Sequence, residues 1–125
     1  MAQVLGFGGV FFKAEDPAAV PDWYRRVLGF EVEDWGGVNF KPAARGYQVW
    51  SPHEADTKYF EPSTHPFMVN LMVDDLDGVL EKAKAAGVEP LGREDMDEYG
   101  SFAWIVDPAG VKLELWQPPA EPAGT

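Results

Sequence analysis

One pattern of residues occurs twice in this chain, and that duplication constrains the fold more than any other feature. "FKAEDPAAVPDWYRRVLGFEVE" occupies 12–33 and "MVDDLDGVLEKAKAAGVEPL" occupies 72–91. Each runs through strand residues, an Asp, a helical stretch, a Gly and a short β segment. Asp16 and Asp75 lie 59 positions apart, and Gly29 and Gly87 lie 58 apart. Further on, "YQVWSP" (47–52) is echoed by "LELWQP" (113–118), now 66 positions away. Two echoes in the same order point to two copies of one supersecondary unit, the second with a longer hairpin region.

Each unit reads as strand, helix and three strands. In the first, a strand is expected over 4–13. Asp16 then caps a helix with Pro17 in its first turn. Val20, Trp23, Val27 and Leu28 form its apolar stripe. Pro21 removes a helical hydrogen bond, so the first turn is expected to be irregular. Gly29 stops the helix, and short strands follow near 30–33, 38–41 and 46–50. The second unit opens with a strand near 67–73 and a helix capped by Asp75. Its stripe is Leu76, Val79, Leu80 and Ala83, and Gly87 ends it. Strands near 88–91, 101–106 and 111–116 complete it, the last two joined by the tight turn "DPAG". The expected fold is α+β, with two tandem βαβββ modules forming a curved mixed sheet around a concave pocket. It is a single domain over 1–125, with module one at about 4–52, a polar, Pro-bounded linker at 53–66 and module two at about 67–118. The tail, 119–125, reads as extended or disordered.

Charge narrows the partners. Ten Lys and Arg stand against 21 Asp and Glu, a net charge of −11, which disfavours nucleic acid and anionic membranes. The same charge would attract a cationic ligand. With no cysteine there is no disulfide, thiol nucleophile or thiolate metal site. The N-terminus lacks the pattern of a signal peptide, and no apolar run approaches a membrane span, so a cytoplasmic protein is expected.

Strand alternation assigns faces. Leu113 and Leu115 belong against the helices, while Lys112, Glu114 and Trp116 belong on the concave side. Val69, Leu71 and Val73 oppose Met68, Asn70 and Met72 in the same way. In the first unit, Phe11 and Lys13 share one face, and Gln48 and Trp50 match Glu114 and Trp116. Phe102 and Trp104 are assigned to the concavity. The candidate ligand-binding residues are therefore Phe11, Lys13, Gln48, Trp50, Met68, Asn70, Trp104, Glu114 and Trp116. The rings among them suit either core filling or a pocket for a flat or cationic organic molecule. An ionised carboxylate inside an apolar strand needs compensation, and three roles are open to Glu114. It can be a structural carboxylate neutralised by Lys13 or Lys112, a ligand contact, or a general acid or base. The acidic loop "GREDMDEYG" (92–100) reads as a solvated loop, with the pocket rim and a polar contact from Tyr99 as the alternative.

From about Val4 to Pro118 these units resemble the glyoxalase/bleomycin-resistance/dioxygenase (vicinal oxygen chelate) superfamily. The resemblance rests on "DPAAVPDWYRRVLGFEVE", "VDDLDGVLEKAKAAGVEPLG" and "YGSFAWIVDPAGVKLELWQP". It implies four inward positions that in metal-dependent members hold a divalent ion, here Gly9, Gln48, Met68 and Glu114. Gly9 has no side chain, Met68 offers only a thioether, and Gln48 is a weak donor. No metal and no other cofactor is therefore expected. His53 and His65 are both linker residues, and a metal site built from them and Glu114 would require the linker to fold over the pocket. The resemblance implies a metal-free, small-molecule-binding homodimer, with drug-sequestering bleomycin-resistance proteins as precedent. The alternatives are a lyase, isomerase or dioxygenase using Glu114 as acid/base or residual metal ligand, and a non-catalytic regulatory module.

Overall fold

The computed structural model describes residues 2, 3, 5 and 7–120. Helix α1 (Ala19–Leu28) starts three residues after Asp16, whose carbonyl and carboxylate both accept from the Ala19 N–H, at 3.1 and 3.3 Å. The late start makes Pro21 the third helical residue, where an N–H would have no acceptor within the helix. The irregular turn therefore precedes the helix and leaves it intact. Gly29, at φ +73°, closes α1 by donating to Arg25, while Phe30 reaches back to Tyr24. The helix buries Val20, Tyr24 and Val27, so its stripe includes a tyrosine that the apolar pattern passes over.

The second unit runs β1 (Val69–Met72), α2 (Leu76–Ala85), β2 (Gly92–Met96), β3 (Gly100–Val106) and β4 (Lys112–Gln117). Asp75 caps α2 by accepting from Gly78 N–H at 3.2 Å. The strands lie in the order β1-β4-β3-β2, forming a curved, unclosed mixed sheet. β1 runs parallel to β4, and the other pairs are antiparallel. One sheet face and both helices enclose the core, in which Val27, Leu76, Ala83, Ala103, Ile105, Leu113 and Leu115 are all at 0% exposure. Burying a leucine of this kind stabilises by about 1.5–3 kcal/mol.

Two expectations about strands change. The strand placed at 88–91 lies at Gly92–Met96, inside the segment read as an acidic loop. It is one edge of the sheet, where charged residues such as Arg93, Glu94 and Asp95 are compatible with strand structure because only one side is paired. In the first unit the described residues of 4–13, and 30–33, 38–41 and 46–50, form no strand. No ladder partner meets them among the described residues, and an extended segment without one is not a strand. The α+β class stands, with the sheet supplied by the second unit and one helix by each.

Candidate functional site

The site follows from sheet register. In the ladders Asn70 sits opposite Glu114 on one side and Trp104 opposite it on the other, giving a row across β1, β4 and β3. Side chains of directly paired residues project from the same face, so this row lies on the face away from the helices. The Asn70 amide donates to Glu114 Oε1 at 2.8 Å, and the Trp104 indole N–H donates to Oε2 at 2.8 Å. The indole ring extends towards Gly92, the next position of the row on β2, with nothing but a hydrogen at that Cα.

The third donor to Glu114 comes from outside the sheet. The Tyr59 hydroxyl, in the linker, hydrogen-bonds Oε2. Glu114 is thus 8% exposed and holds three neutral donors. Compensation of this buried carboxylate is by hydrogen bonding, not by a cation. Burial first, and then the hydrogen bond and charge of Glu114, push the Tyr59 phenol up to about 12, so it remains a donor well above neutral pH.

Lys112, two residues before Glu114 on the same strand face, does not pair with it. Its ammonium donates to the Tyr59 carbonyl at 2.5 Å and lies over the Tyr59 and Trp104 rings, 5.0 and 5.8 Å from their centroids. Lys13 is exposed and forms no ion pair among the described residues. The expected pairing of Glu114 with either lysine is therefore corrected, because neutral donors already occupy the carboxylate.

A second row lies one pleat along, with Met72, Trp116 and Phe102 in register. Phe102 stacks on Trp116 at 6.3 Å between centroids, and Tyr47 meets Trp116 edge-on at 5.1 Å. The Trp116 indole donates to the Tyr99 carbonyl at 2.6 Å, so Tyr99 reaches this row through its backbone.

The structure brings together Asn70, Trp104 and Glu114, with Trp116 one row away. The other candidates lie elsewhere. Phe11 is 93% exposed and Trp50 is 79% exposed. Gln48 accepts from Phe7 N–H at 2.7 Å and lines a hollow of about 450 Å³ with Leu5, Phe7, Gly8 and Pro42, none of which belongs to the Glu114 group. Met68 is half-buried just before β1. The alternation that places Phe11, Lys13, Gln48 and Trp50 on a face requires strands, and the described residues there are not paired into any.

Sequence reasoning missed Tyr59. The linker folds over the sheet face, but the side chain it delivers to Glu114 is a tyrosine and not a histidine. His53 lies parallel to the Tyr59 ring at 6.0 Å, and His65 binds the Ala109 carbonyl at 2.8 Å. Ser63 also docks the linker, donating to the Gly110 carbonyl at 2.6 Å. The available signal was the "KYF" triplet at 58–60, two rings in an otherwise polar segment.

These side chains do not fit a divalent ion. Glu114 already accepts three hydrogen bonds, two of them on Oε2, and Gln48 is turned to Phe7. No cluster of three or more His, Asp or Glu suited to a metal occurs among the described residues. Likewise, no helix among them is long and apolar enough to cross a membrane.

The family model for a glyoxalase-like domain matches residues 9–116, and the chain belongs to that family. Among solved structures, it is similar to TnmS3, an antibiotic binding protein from Streptomyces sp. CB03234. The two are 25% identical, with a TM-score of 0.53, over 84% of this chain and 88% of TnmS3. A member of the glyoxalase/bleomycin resistance protein/dioxygenase superfamily from Sphaerobacter thermophilus DSM 20745 is 21% identical, with a TM-score of 0.52, over 94% of this chain and 98% of that one. The second likeness bears on fold alone. A search of curated proteins gives no match.

Proposed function

We propose that this protein binds a small organic molecule on the concave sheet face, against Glu114, Asn70, Trp104 and Trp116, without a bound metal. One observation carries the reading. A buried carboxylate stands at the centre of an aromatic sheet face and is held by neutral hydrogen-bond donors, on the side the helices leave uncovered. A few converging polar groups among large rings are what an orienting ligand site requires. The similarity to an antibiotic binding protein supports the same class of ligand.

The test is calorimetric titration with a panel of aromatic antibiotics, beside native mass spectrometry of freshly purified protein. Stoichiometric binding of at least one compound is expected, weakened about tenfold or more by Trp104→Ala, the loss of one base-sized stacking and donor contact. Absence of binding across the panel together with no retained small molecule would sink the reading.

The same reading includes a homodimer. What supports it is the first unit, which exposes Phe11, Trp35, Phe40, Val49 and Trp50 and leaves segments without ladder partners among the described residues. A second copy presents the same surface and the same unpaired segments, and two-fold pairing closes on itself.

A further inference from the structure

Glu114 is held by donors of two kinds. Asn70 and Trp104 are its ladder neighbours, and their positions are fixed by the pairing of three strands. Tyr59 comes from the linker between units, which contributes no strand or helix of its own. Tyr59 is 41% exposed, whereas Glu114 is 8% exposed. Breaking its hydrogen bond to Glu114 disturbs no ladder, whereas moving Asn70 or Trp104 would. Of the three donors, the tyrosine is the replaceable one.

Resting on the ligand-binding reading above, we propose that Tyr59 is a built-in occupant of the ligand position, and that the ligand displacing it is a neutral aromatic molecule carrying its own hydroxyl.

The chemistry of the replacement is set by what Tyr59 now satisfies. An O–H must be donated to Glu114 Oε2, because a buried carboxylate left one donor short loses a charge-assisted hydrogen bond. A ring must lie where the Lys112 ammonium sits over the Tyr59 face at 5.0 Å and the Trp104 ring meets its edge at 6.4 Å. Lys112 already supplies the positive charge at those rings, so a cationic ligand would meet repulsion there. A phenolate would meet Glu114 with no proton to share. A neutral aryl alcohol satisfies both neighbours. The elevated proton affinity of the Tyr59 phenol reports the same preference for the neutral form at this position.

A built-in occupant lowers apparent affinity by the fraction of molecules in which the site is free. Weakening the occupant therefore strengthens ligand binding, whereas removing part of a pocket wall weakens it. The experiment is calorimetry at pH 7 with 2-naphthol as probe and 2-methoxynaphthalene, which has the ring system without the O–H, as control. Wild-type protein is compared with Tyr59→Phe, which keeps the ring, and Tyr59→Ala, which clears it. The expected result is 2-naphthol binding that tightens about tenfold in Tyr59→Phe, with the ether binding more weakly than 2-naphthol to every form because it brings no donor to Glu114. Hydrogen exchange of residues 57–61 is expected to rise when 2-naphthol is added to wild type. Unchanged or weaker 2-naphthol binding in both variants, ether binding as tight as that of 2-naphthol, or no binding of 2-naphthol to any form overturns the proposal. The antibiotic panel and the Trp104→Ala comparison stand apart from these outcomes, so the ligand-binding reading can survive when the role of Tyr59 does not.

Discussion

Among the described residues Glu114 has no cation within ion-pair distance, and its stability rests on geometry that a carboxylate alone provides. One oxygen faces the Asn70 amide, and the other takes both the Trp104 indole and the Tyr59 hydroxyl. A glutamine offers one acceptor oxygen and turns an NH₂ towards at least one of these donors. Glu114→Gln is expected to cost about 2 kcal/mol, the range for hydrogen bonds to a charged group, measured by urea unfolding. Lys13→Met is expected to add independently, because the two residues share no contact. A coupling above about 0.5 kcal/mol would show that the lysine reaches the carboxylate after all. The tyrosine gives a pH signature. Its phenol is raised to about 12 by burial and by Glu114, with Glu94 contributing, while the unfolded chain titrates near 10. Lys112 and His53 also face its ring. Between those pH values the unfolded state loses the proton first, so the stabilisation is complete below about pH 10 and is lost as pH rises towards 12. Unfolding midpoints at pH 8 and pH 11 should fall further apart in wild type than in Tyr59→Phe. Equal falls would contradict the assignment. Glu114 was legible at this scale because Leu113 and Leu115 flank it and can only point into the core. Tyr59 was not, since no periodicity links a linker residue to a strand 55 positions away.

Among the elements, the second unit follows its sequence closely because its signals agree. Asp75 caps, Leu76 and Ala83 face the core, Gly87 takes φ +89°, and the "DPAG" turn returns β3 into β4. Asp75→Ala is expected to lower stability by about 1 kcal/mol, the usual value of an N-cap, read from denaturant midpoints. A change under 0.3 kcal/mol would mean that Gln117, whose amide oxygen accepts from Leu76 N–H at 2.8 Å, holds the helix start unaided. The exchange of a loop for β2 has a specific cause. Arg93, Glu94 and Asp95 carry a loop's composition, but the Leu91 N–H already bonds the Trp104 carbonyl at 2.7 Å and leads the chain onto the β3 edge. Alternation in the first unit is as clear as in the second. Whether an alternating segment joins a sheet depends on a partner strand, which no local pattern encodes. That is why Phe11, Lys13, Gln48 and Trp50 were assigned to a face that the described residues do not form.

At the scale of the molecule, the two halves of a duplicated sequence have unequal surfaces. The second unit supplies most of the core, and the first exposes Phe11 at 93%, Trp50 at 79% and Phe40 at 68%. Apolar surface on this scale is stabilised by association. Sedimentation at micromolar concentration should give twice the chain mass of 13.8 kDa. A species at the single-chain mass throughout would count against pairing. Trp35→Ser and Trp50→Ser together should shift the equilibrium towards the single chain without loosening the Leu113 core, because neither ring touches it.

The Tyr24 hydroxyl donates to Asp107 at 2.5 Å, and Asp107 in turn accepts from the Ala109 and Val111 N–H groups that shape the β3–β4 turn. A helix from the first copy of the repeat thereby completes a turn in the second. Ancestry by doubling suggests two pieces that could once stand alone. The contact between them predicts that neither now folds alone. A fragment holding only the second repeat would keep its aspartate but lose the phenol that neighbours it, together with the helix that covers Leu76 and Ala83. Cutting the chain at the linker should therefore give two unfolded peptides, and mixing them should restore one cooperative transition.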